Sequence, residues 1–562
     1  MSQTADEQPV IAPAKKHHPG LYVLFFTEMW ERFGYYLMIG IFFLYLIDPS
    51  INGGKGFDNT KAADLVGSYI ALVYLSPFIG GLLADRYLGY RRAIVIGGAL
   101  LAAGYFGLAF PGDMAMYISL GLIIIGNGFF KPNIGTLLGN IYNRPDLKPK
   151  KDVAYNIFYM GVNIGAFICN FVAAYLRNHY GWGYAFAAAG VGMVVGLIIF
   201  MSRMKVVAEG DIKKTPSKED MPIGTILSSV FLPAIIAAGI GYFVAPVLGH
   251  TLFGTRSNDA FMFACVPIVI FYIRLYTTAA KEDKRGLGAL LAFFAVAIVF
   301  WVIYNQNSTG LTIWADQYTN RQMSPAMEKA AQPLGMLQTV TMEPHTVTQI
   351  DEHFRAITDA SGKTVQVQGP DPYFQNLSKD QIPESGTLHL LSTEIFQSIN
   401  PFFIVVFSMM MVGLFSWLAV RGKEPNTPTK IALGIFMAGF SSLLMVMAVA
   451  MTDVYVEKSA MSWLIATYAI FTIGEILVSP IGLSMVSKLS PPRVTALMMG
   501  GWYLVNSIAG KIAGLMATFW DSFIDKKTYF MILTIAAAVA GVVMLMIGKW
   551  IAKVVKEKTG SY

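Results

Sequence analysis

Long apolar runs alternate with short polar connections along this chain, and the runs recur at a length that fits a bilayer crossing. Stretches of about 20 residues lie near 20–47, 61–85, 91–110, 115–141, 153–177, 181–203, 222–248, 259–278, 288–317, 392–420, 430–452, 460–487, 495–521 and 528–553, roughly 14 in all. The pattern predicts an all-α polytopic membrane protein. One connection departs from it. Residues 318–391 are polar, and "FRAITDASGKTVQVQG" at 354–369 reads as two short extended runs around a Ser361-Gly362 turn, so a small subdomain with a hairpin is expected there. Its plainer reading is a loop insertion, which is thermodynamically cheap at a surface.

The polar connections carry the orientation. With the N-terminus on the cytoplasmic side, the inward connections are "DRYLGYRR", "NRPDLKPKKD", "SRMKVVAEGDIKKTPSK", "AAKEDKRG", "VRGKEPNTPTK", "KLSPPR" and the tail "KVVKEK", and they hold most of the Lys and Arg. The outward ones, such as "DPSINGGKGFDN", "PGDM" and "TDVYVEK", hold few. That asymmetry satisfies the positive-inside rule, with both termini cytoplasmic and the 318–391 insertion periplasmic in a bacterial inner membrane. Residues 1–19 contain no apolar core of a cleavable signal, so the first helix is the expected insertion signal.

Composition agrees: 55% of the 562 residues are hydrophobic and 14% charged, against about 25% charged in soluble domains. The net charge of +7 is therefore topological, and no nucleic-acid partner is expected. Cys169 and Cys265 both fall inside apolar runs, so no disulfide framework is expected. The only close histidine pair is His17–His18 in the polar tail. No metal site, phosphate-binding loop or nucleophile elbow is recognisable, so neither a cofactor nor enzymatic chemistry is expected.

Basic stretches bracket the seventh and eighth runs, which read as a hairpin between two six-helix sets. The expected division is a tail at 1–19, an N-terminal bundle at 20–203, a linker with the extra hairpin at 204–287, a C-terminal bundle at 288–553 containing the insertion, and a tail at 554–562. A two-half architecture places a ligand site near the midplane between the halves. "GNGFFKPNIG" at 126–135 and "GEILVSPIG" at 474–482 echo each other across the halves, each with glycine, a buried proline and a charge, Lys131 and Glu475.

The first run, "TEMWERFGYYLMIGIFFLYLI" at 27–47, contains two glutamates and an arginine. A charge at the centre of such a helix costs about 2.5–3.5 kcal/mol on insertion scales, which makes it a functional-site candidate. Snorkelling to the headgroups does not require alignment, yet Glu28, Glu31, Arg32, Tyr35 and Tyr36 fall on one helical face. Glu28 also begins about 10 Å into the segment.

On these residues the chain resembles the proton-dependent oligopeptide transporter family of the major facilitator superfamily, over about 20–553. "EMWERFGYY" at 28–36 is similar to its E-x-x-E-R-F-x-Y-Y motif, and "YLSPFIGGLLADRYLGYRR" at 74–92 resembles its second-helix signature, beginning at Tyr74. "GFFKPNIG" matches at Lys131, "FYMGVNIGAF" at Asn163, "FQSINPFFIVV" at Asn400, "GEILVSPIGLS" at Glu475 and "MMGGWYL" at Trp502. The extra hairpin resembles the bacterial branch. Two departures stand out. The family's arginine seven residues after the motif arginine falls at Ile39, and its acidic partner on helix seven falls at Asn305 in "FWVIYNQ". Losing both together is what removal of one buried ion pair requires. Asp316, about three turns beyond Asn305 on the same face of one continuous helix, is a possible substitute, although a solvated helix end is its plainer reading. The second-helix histidine of animal members falls at Gly67, so coupling through it is not expected.

The resemblance implies a proton-coupled symporter that imports di- and tripeptides by alternating access, with protons as the coupling ion and a monomer as the working unit. Arg32 and Lys131 would hold the peptide carboxylate and Glu475 its amine. Asn163 and Asn400 would assist, and Tyr35, Tyr36, Tyr74, Trp301 and Trp502 would line the cavity. Glu28 and Glu31 would balance Arg32 and Lys131 in the empty state and carry the proton, with Glu475. Pro132 and Pro480 are candidate bending points. The alternatives are another small solute such as nitrate, whose carriers tend to lack the first-helix E-x-x-E-R, and a membrane receptor or enzyme using the 318–391 insertion.

Overall fold

Each apolar run becomes helical in the computed structural model, which describes residues 16–212, 222–359, 363–491 and 494–559, apart from the side chains at 481, 483, 487, 496 and 559. The expected turn at Ser361-Gly362, residues 1–15 of the tail and 560–562 lie outside the described residues. The first six helices are α1 (Pro19–Ile47), α2 (Asn59–Leu83), α3 (Tyr90–Leu108), α4 (Asp113–Ile141), α5 (Lys151–Tyr180) and α6 (Trp182–Ser202). The hairpin is α7 (Ile223–Leu248) and α8 (Arg256–Thr277), which pack on each other. The second set comprises α9 (Lys281–Tyr304), α10 (Gly310–Gln317), α11 (Ile399–Val420), α12 (Thr427–Met451), α13 (Met461–Leu489), α14 (Thr495–Thr518) and α15 (Lys526–Thr559). Among the described residues, 13 helical segments are long and apolar enough to cross a membrane, and α14, a helix of 24 residues outside that set, occupies the remaining expected run at 495–521.

Local chemistry sets the ends. Pro19 opens α1, where a missing N–H costs nothing, and the His18 ring accepts from the Gly20 N–H at 3.0 Å. Asp58, Thr255 and Asn426 cap α2, α8 and α12 by accepting backbone N–H groups of the first turn. Helix α9 starts at Lys281 rather than 288, because Glu282 and Asp283 are suited to a helix N-terminus although the apolar run begins later. Helix α15 runs through "KVVKEK" to Thr559, so residues 554–559 of the expected tail are helical.

The seventh span of the two-half arrangement is not one continuous helix. Between α9 and α10 the chain forms a 3₁₀ turn at Asn305–Ser308, and Thr309 leaves helical geometry at φ −136°, ψ −99°. The polar run "NQNST" bonds to nearby backbone instead: Asn305 donates to Trp301 O at 2.8 Å and Thr309 to Asn305 O at 3.3 Å. The break ends the common register that placed Asp316 above Asn305. Asp316 instead accepts from Thr393 Oγ1 at 2.9 Å and lies 3.4 Å from the Arg321 guanidinium.

In the first set, α1 packs on α5 and α6, and α3 on α4 and α6; in the second, α12 packs on α13 and α15, and α9 on α14 and α15. The halves meet along α2–α14 and α5–α11. The insertion holds two antiparallel pairs, β1 (Leu337–Thr341) with β4 (Thr387–Leu391), and β2 (His345–Thr348) with β3 (Gln366–Gly369). The expected hairpin is present beside them: Thr358 bridges Thr364, and the Val365 N–H donates to Ile357 O at 2.8 Å. The insertion touches both halves. Thr364 donates to Gly56 O at 2.7 Å, Asn178 to Leu337 O at 2.9 Å, and Asn376 to Val454 O at 2.7 Å.

Candidate functional site

The aligned charges of α1 form one buried cluster. Arg32 is 3% exposed and Glu31 fully buried, and their side chains meet as a fork: Nη2 donates to Glu31 Oε1 at 2.7 Å and Nε to Oε2. Glu28, one turn earlier, brings Oε1 to 3.3 Å from the same Nε, and its Oε2 is buried without a hydrogen-bond partner. Each carboxylate therefore shares a single guanidinium. Tyr35 lies beneath that guanidinium at 5.0 Å and packs edge-on to Tyr36.

Lys131 on α4 places its ammonium 4.1 Å over the ring of Tyr74 on α2, within electrostatic reach of Glu28 and Glu31. Pro132 follows it inside α4. On the second half, Glu475 of α13 is 6% exposed and its Oε2 accepts from Asn400 Nδ2 of α11 at 2.8 Å. Asn400 also donates to Thr472 Oγ1 at 3.0 Å. Tyr36 and Tyr74 stand within electrostatic reach of both Arg32 and Glu475.

A cavity of about 90 Å³ between the halves is lined by Tyr35, Tyr36, Tyr74 and Asn163 from the first half and by Asn400 and Glu475 from the second. The sequence pattern thus names side chains from both walls. Glu28, Glu31, Arg32 and Lys131 stand outside this lining, with Arg32 and Lys131 on the rings of Tyr35 and Tyr74. Trp301 and Trp502 are also set back, packed against each other at 6.2 Å, with Phe293 stacked on Trp502. Gly482 makes room for that indole: a β-carbon there would lie 2.1 Å from Trp502. Asn163 donates to Tyr159 O in its own helix at 2.9 Å.

Sequence reasoning missed Tyr159, Tyr304, Tyr468 and Gln397, which also line the cavity. Tyr159 lies one turn before Asn163 and Tyr304 three residues after Trp301, so helical spacing from the recognised positions reaches both. Ile39 and Asn305, the two departures from the family pattern, line this same cavity. Gly67 faces Gly514 of α14 so closely that a β-carbon would lie 2.7 Å from the Gly514 Cα, which leaves no room for an imidazole. Among the described residues no group of three or more His, Cys, Asp or Glu is placed to hold a metal ion.

Comparison with known proteins supplies the family. The chain is 31% identical over 545 residues to an uncharacterized transporter of Bacillus subtilis (strain 168), covering 96% of this chain and 95% of that one. It is 29% identical to a di-/tripeptide transporter of Lactococcus lactis subsp. lactis (strain IL1403), covering 96% of each. Among solved structures, a peptide transporter POT in complex with sulfate superposes with a TM-score of 0.72 at 28% identity, covering 97% of each chain. A mutant POT peptide transporter bound to alafosfalin superposes at 0.71 and 29% identity, again over 97% of each. The model of the POT family matches residues 91–342 and 378–535, and the chain belongs to that family of transporters.

Proposed function

We propose that the protein is a proton-coupled symporter that imports di- and tripeptides by alternating access across a bacterial inner membrane. It works as a monomer, with both termini cytoplasmic and the insertion periplasmic. The observation that carries this reading is the polarity of the central cavity. One wall presents Tyr35 and Tyr74 backed by Arg32 and Lys131, and the other presents Glu475 held by Asn400.

A di- or tripeptide zwitterion separates its amine and carboxylate by about 7–10 Å at roughly 3.3–3.6 Å per extended residue. Opposite charges on opposite halves grip both ends and leave the side chains loosely bounded. Binding then also draws the halves together. In the empty site Arg32 is neutralised by Glu31 and Glu28. Protonating one of those carboxylates weakens its hold on Arg32 and frees a cation for the peptide carboxylate, so proton and peptide are coupled. A potential of about 100 mV supplies about 2.3 kcal/mol per charge, and each pH unit about 1.4 kcal/mol more, which is sufficient for uphill import.

Counterflow in proteoliposomes with a peptide panel tests the reading. Free dialanine is expected to compete, whereas N-acetylated dialanine and nitrate are not. Equal competition by acetylated and free dialanine would overturn the end-gripping pocket.

A further inference from the structure

The membrane-spanning region contains a second charge pair, away from the central cavity. Lys511 of α14, with a side chain 1% exposed, places Nζ 2.6 Å from Asp64 Oδ1 of α2, 2.7 Å from Ser68 Oγ and 2.8 Å from Ser257 Oγ of α8. Ser257 in turn donates to Asp64 Oδ1. An ammonium has three donors, and here three oxygens take them. Those oxygens come from two elements, so the cluster joins the first half, the second half and the extra hairpin.

Its position is the seam that faces the insertion. Beside the cluster, Gly67, one turn deeper than Asp64, meets Gly514, one turn nearer the end of α14 than Lys511, and the two glycines let the antiparallel α2 and α14 touch backbone to backbone. Toward the helix ends, Asn59 donates to Asp521 Oδ1 at 3.1 Å and Thr60 to Thr518 O at 3.2 Å. The hairpin also contacts both sides of the seam farther along: Tyr272 of α8 donates to Leu497 O at 3.3 Å, and Phe231 of α7 packs on Phe78 of α2.

At the neighbouring junction of α1 with α10, Gln397 bridges Gly40 O and Thr312 Oγ1 with neutral hydrogen bonds. The Asp64–Lys511 pair is thus an ionic contact between the halves on a side where the α1–α10 junction is neutral. A charge within a span is costly unless partnered. Lys511 keeps its carboxylate partner only while the seam is closed.

We infer that Asp64, Lys511 and Ser257 form the latch of the insertion-side gate, with the extra hairpin as its third member, positioned to bias the seam toward closure. The gating role rests on the alternating-access reading. The latch itself is read without any cargo, so the two fail separately.

The experiment is pulsed electron–electron resonance on the full chain without peptide, with Cys169 and Cys265 replaced by Ala. Spin labels go at Ile51→Cys and Ile524→Cys, exposed positions on the insertion-side loops of opposite halves. Asp64→Asn and Lys511→Gln, near-isosteric changes, are expected to raise the long-distance population severalfold. Exchanging the charges, Asp64→Lys with Lys511→Asp, is expected to return it toward wild type. Ser257→Ala, which keeps both charges, is expected to shift it in the same direction by less. Distance distributions unchanged in both neutral variants would overturn the latch. So would a charge exchange that opens the seam further than either single change. A silent Ser257→Ala beside a shifted Asp64→Asn would overturn the part given to the hairpin.

Discussion

Asn400 Nδ2 of α11 donates to Glu475 Oε2 of α13 at 2.8 Å, so a side-chain amide holds the carboxylate on the second half's wall of the cavity. Glutamine at 475 keeps an acceptor for that amide and removes the charge. Glu475→Gln is therefore expected to fold normally and to weaken transport of free-amine peptides about 10- to 100-fold, the equivalent of about 1.5–3 kcal/mol for a hydrogen bond to a charged group. Concentration dependence of counterflow measures it. An unchanged apparent affinity would place the amine grip elsewhere.

Glu31 takes the fork of Arg32, and Glu28 lies beside the same Nε with one oxygen unpartnered. Both Glu28→Gln and Glu31→Gln are expected to lose proton-driven accumulation while retaining peptide exchange, because the amide copies a protonated carboxyl. Glu31→Gln should cost more stability, toward the about 3–5 kcal/mol of a broken buried pair. Uphill uptake against exchange in the same vesicles, with thermal midpoints of both variants, separates the effects. Normal uphill uptake in both would move the proton site away from α1.

The charged face of α1 is legible from sequence because charges within apolar runs are few, and helical periodicity alone places Glu28, Glu31 and Arg32 together. The break after Tyr304 is not legible in that way, since hydropathy reads 288–317 as one run and does not register that "NQNST" turns back onto its own backbone. Asp64 and Lys511 escape for a different reason. Asp64 sits within a turn and a half of the start of α2 and Lys511 within two turns of the end of α14, where a charge reads as a helix end near water. Their partnership exists only once two halves, separated by hundreds of residues, are brought together. The aromatic layer around Trp301 and Trp502 was recognisable by residue type, but its depth depends on Gly482, whose missing side chain admits the indole.

Lys458, in the connection between α12 and α13, predicts a pH dependence of the insertion's docking. Its ammonium donates to Gln317 O at 2.9 Å and Asn376 Oδ1 at 2.5 Å and stands 3.9 Å over the Tyr373 ring. Burial, reinforced by Arg321, holds it well below the ordinary lysine range. A lysine depressed in the folded state binds fewer protons folded than unfolded, so its contribution to stability rises with pH through the window below about 10.4. Relative to Lys458→Met, the wild-type thermal midpoint should therefore rise as pH is raised from about 7 to about 10. A constant difference would show that the charged form carries no burial cost.

Ile39 and Asn305 line one cavity at the positions where the family pattern expects an arginine and an acid. Ile39 is 5% exposed, so Ile39→Arg alone brings a charge into a buried wall and is expected to cost several kcal/mol, as an unpaired buried charge does. Ile39→Arg with Asn305→Glu should recover much of that loss, because the new acid meets the new base across the cavity. A double-mutant cycle on thermal stability reads the coupling directly. An interaction energy near zero would mean that the two side chains do not reach each other, and the family's α1–α9 pairing could not be carried onto this chain. Clear stabilising coupling would show that the geometry for that pair persists while its charges are absent. Closure on the insertion side would then depend on the neutral bridge of Gln397 at α1–α10, on the largely buried pair of Asp64 and Lys511 at α2–α14, and on the buried pair of Arg177 and Glu394, which joins α5 to the segment before α11. Salt screens buried charges far less than exposed ones, so raising ionic strength should leave that closure nearly unchanged.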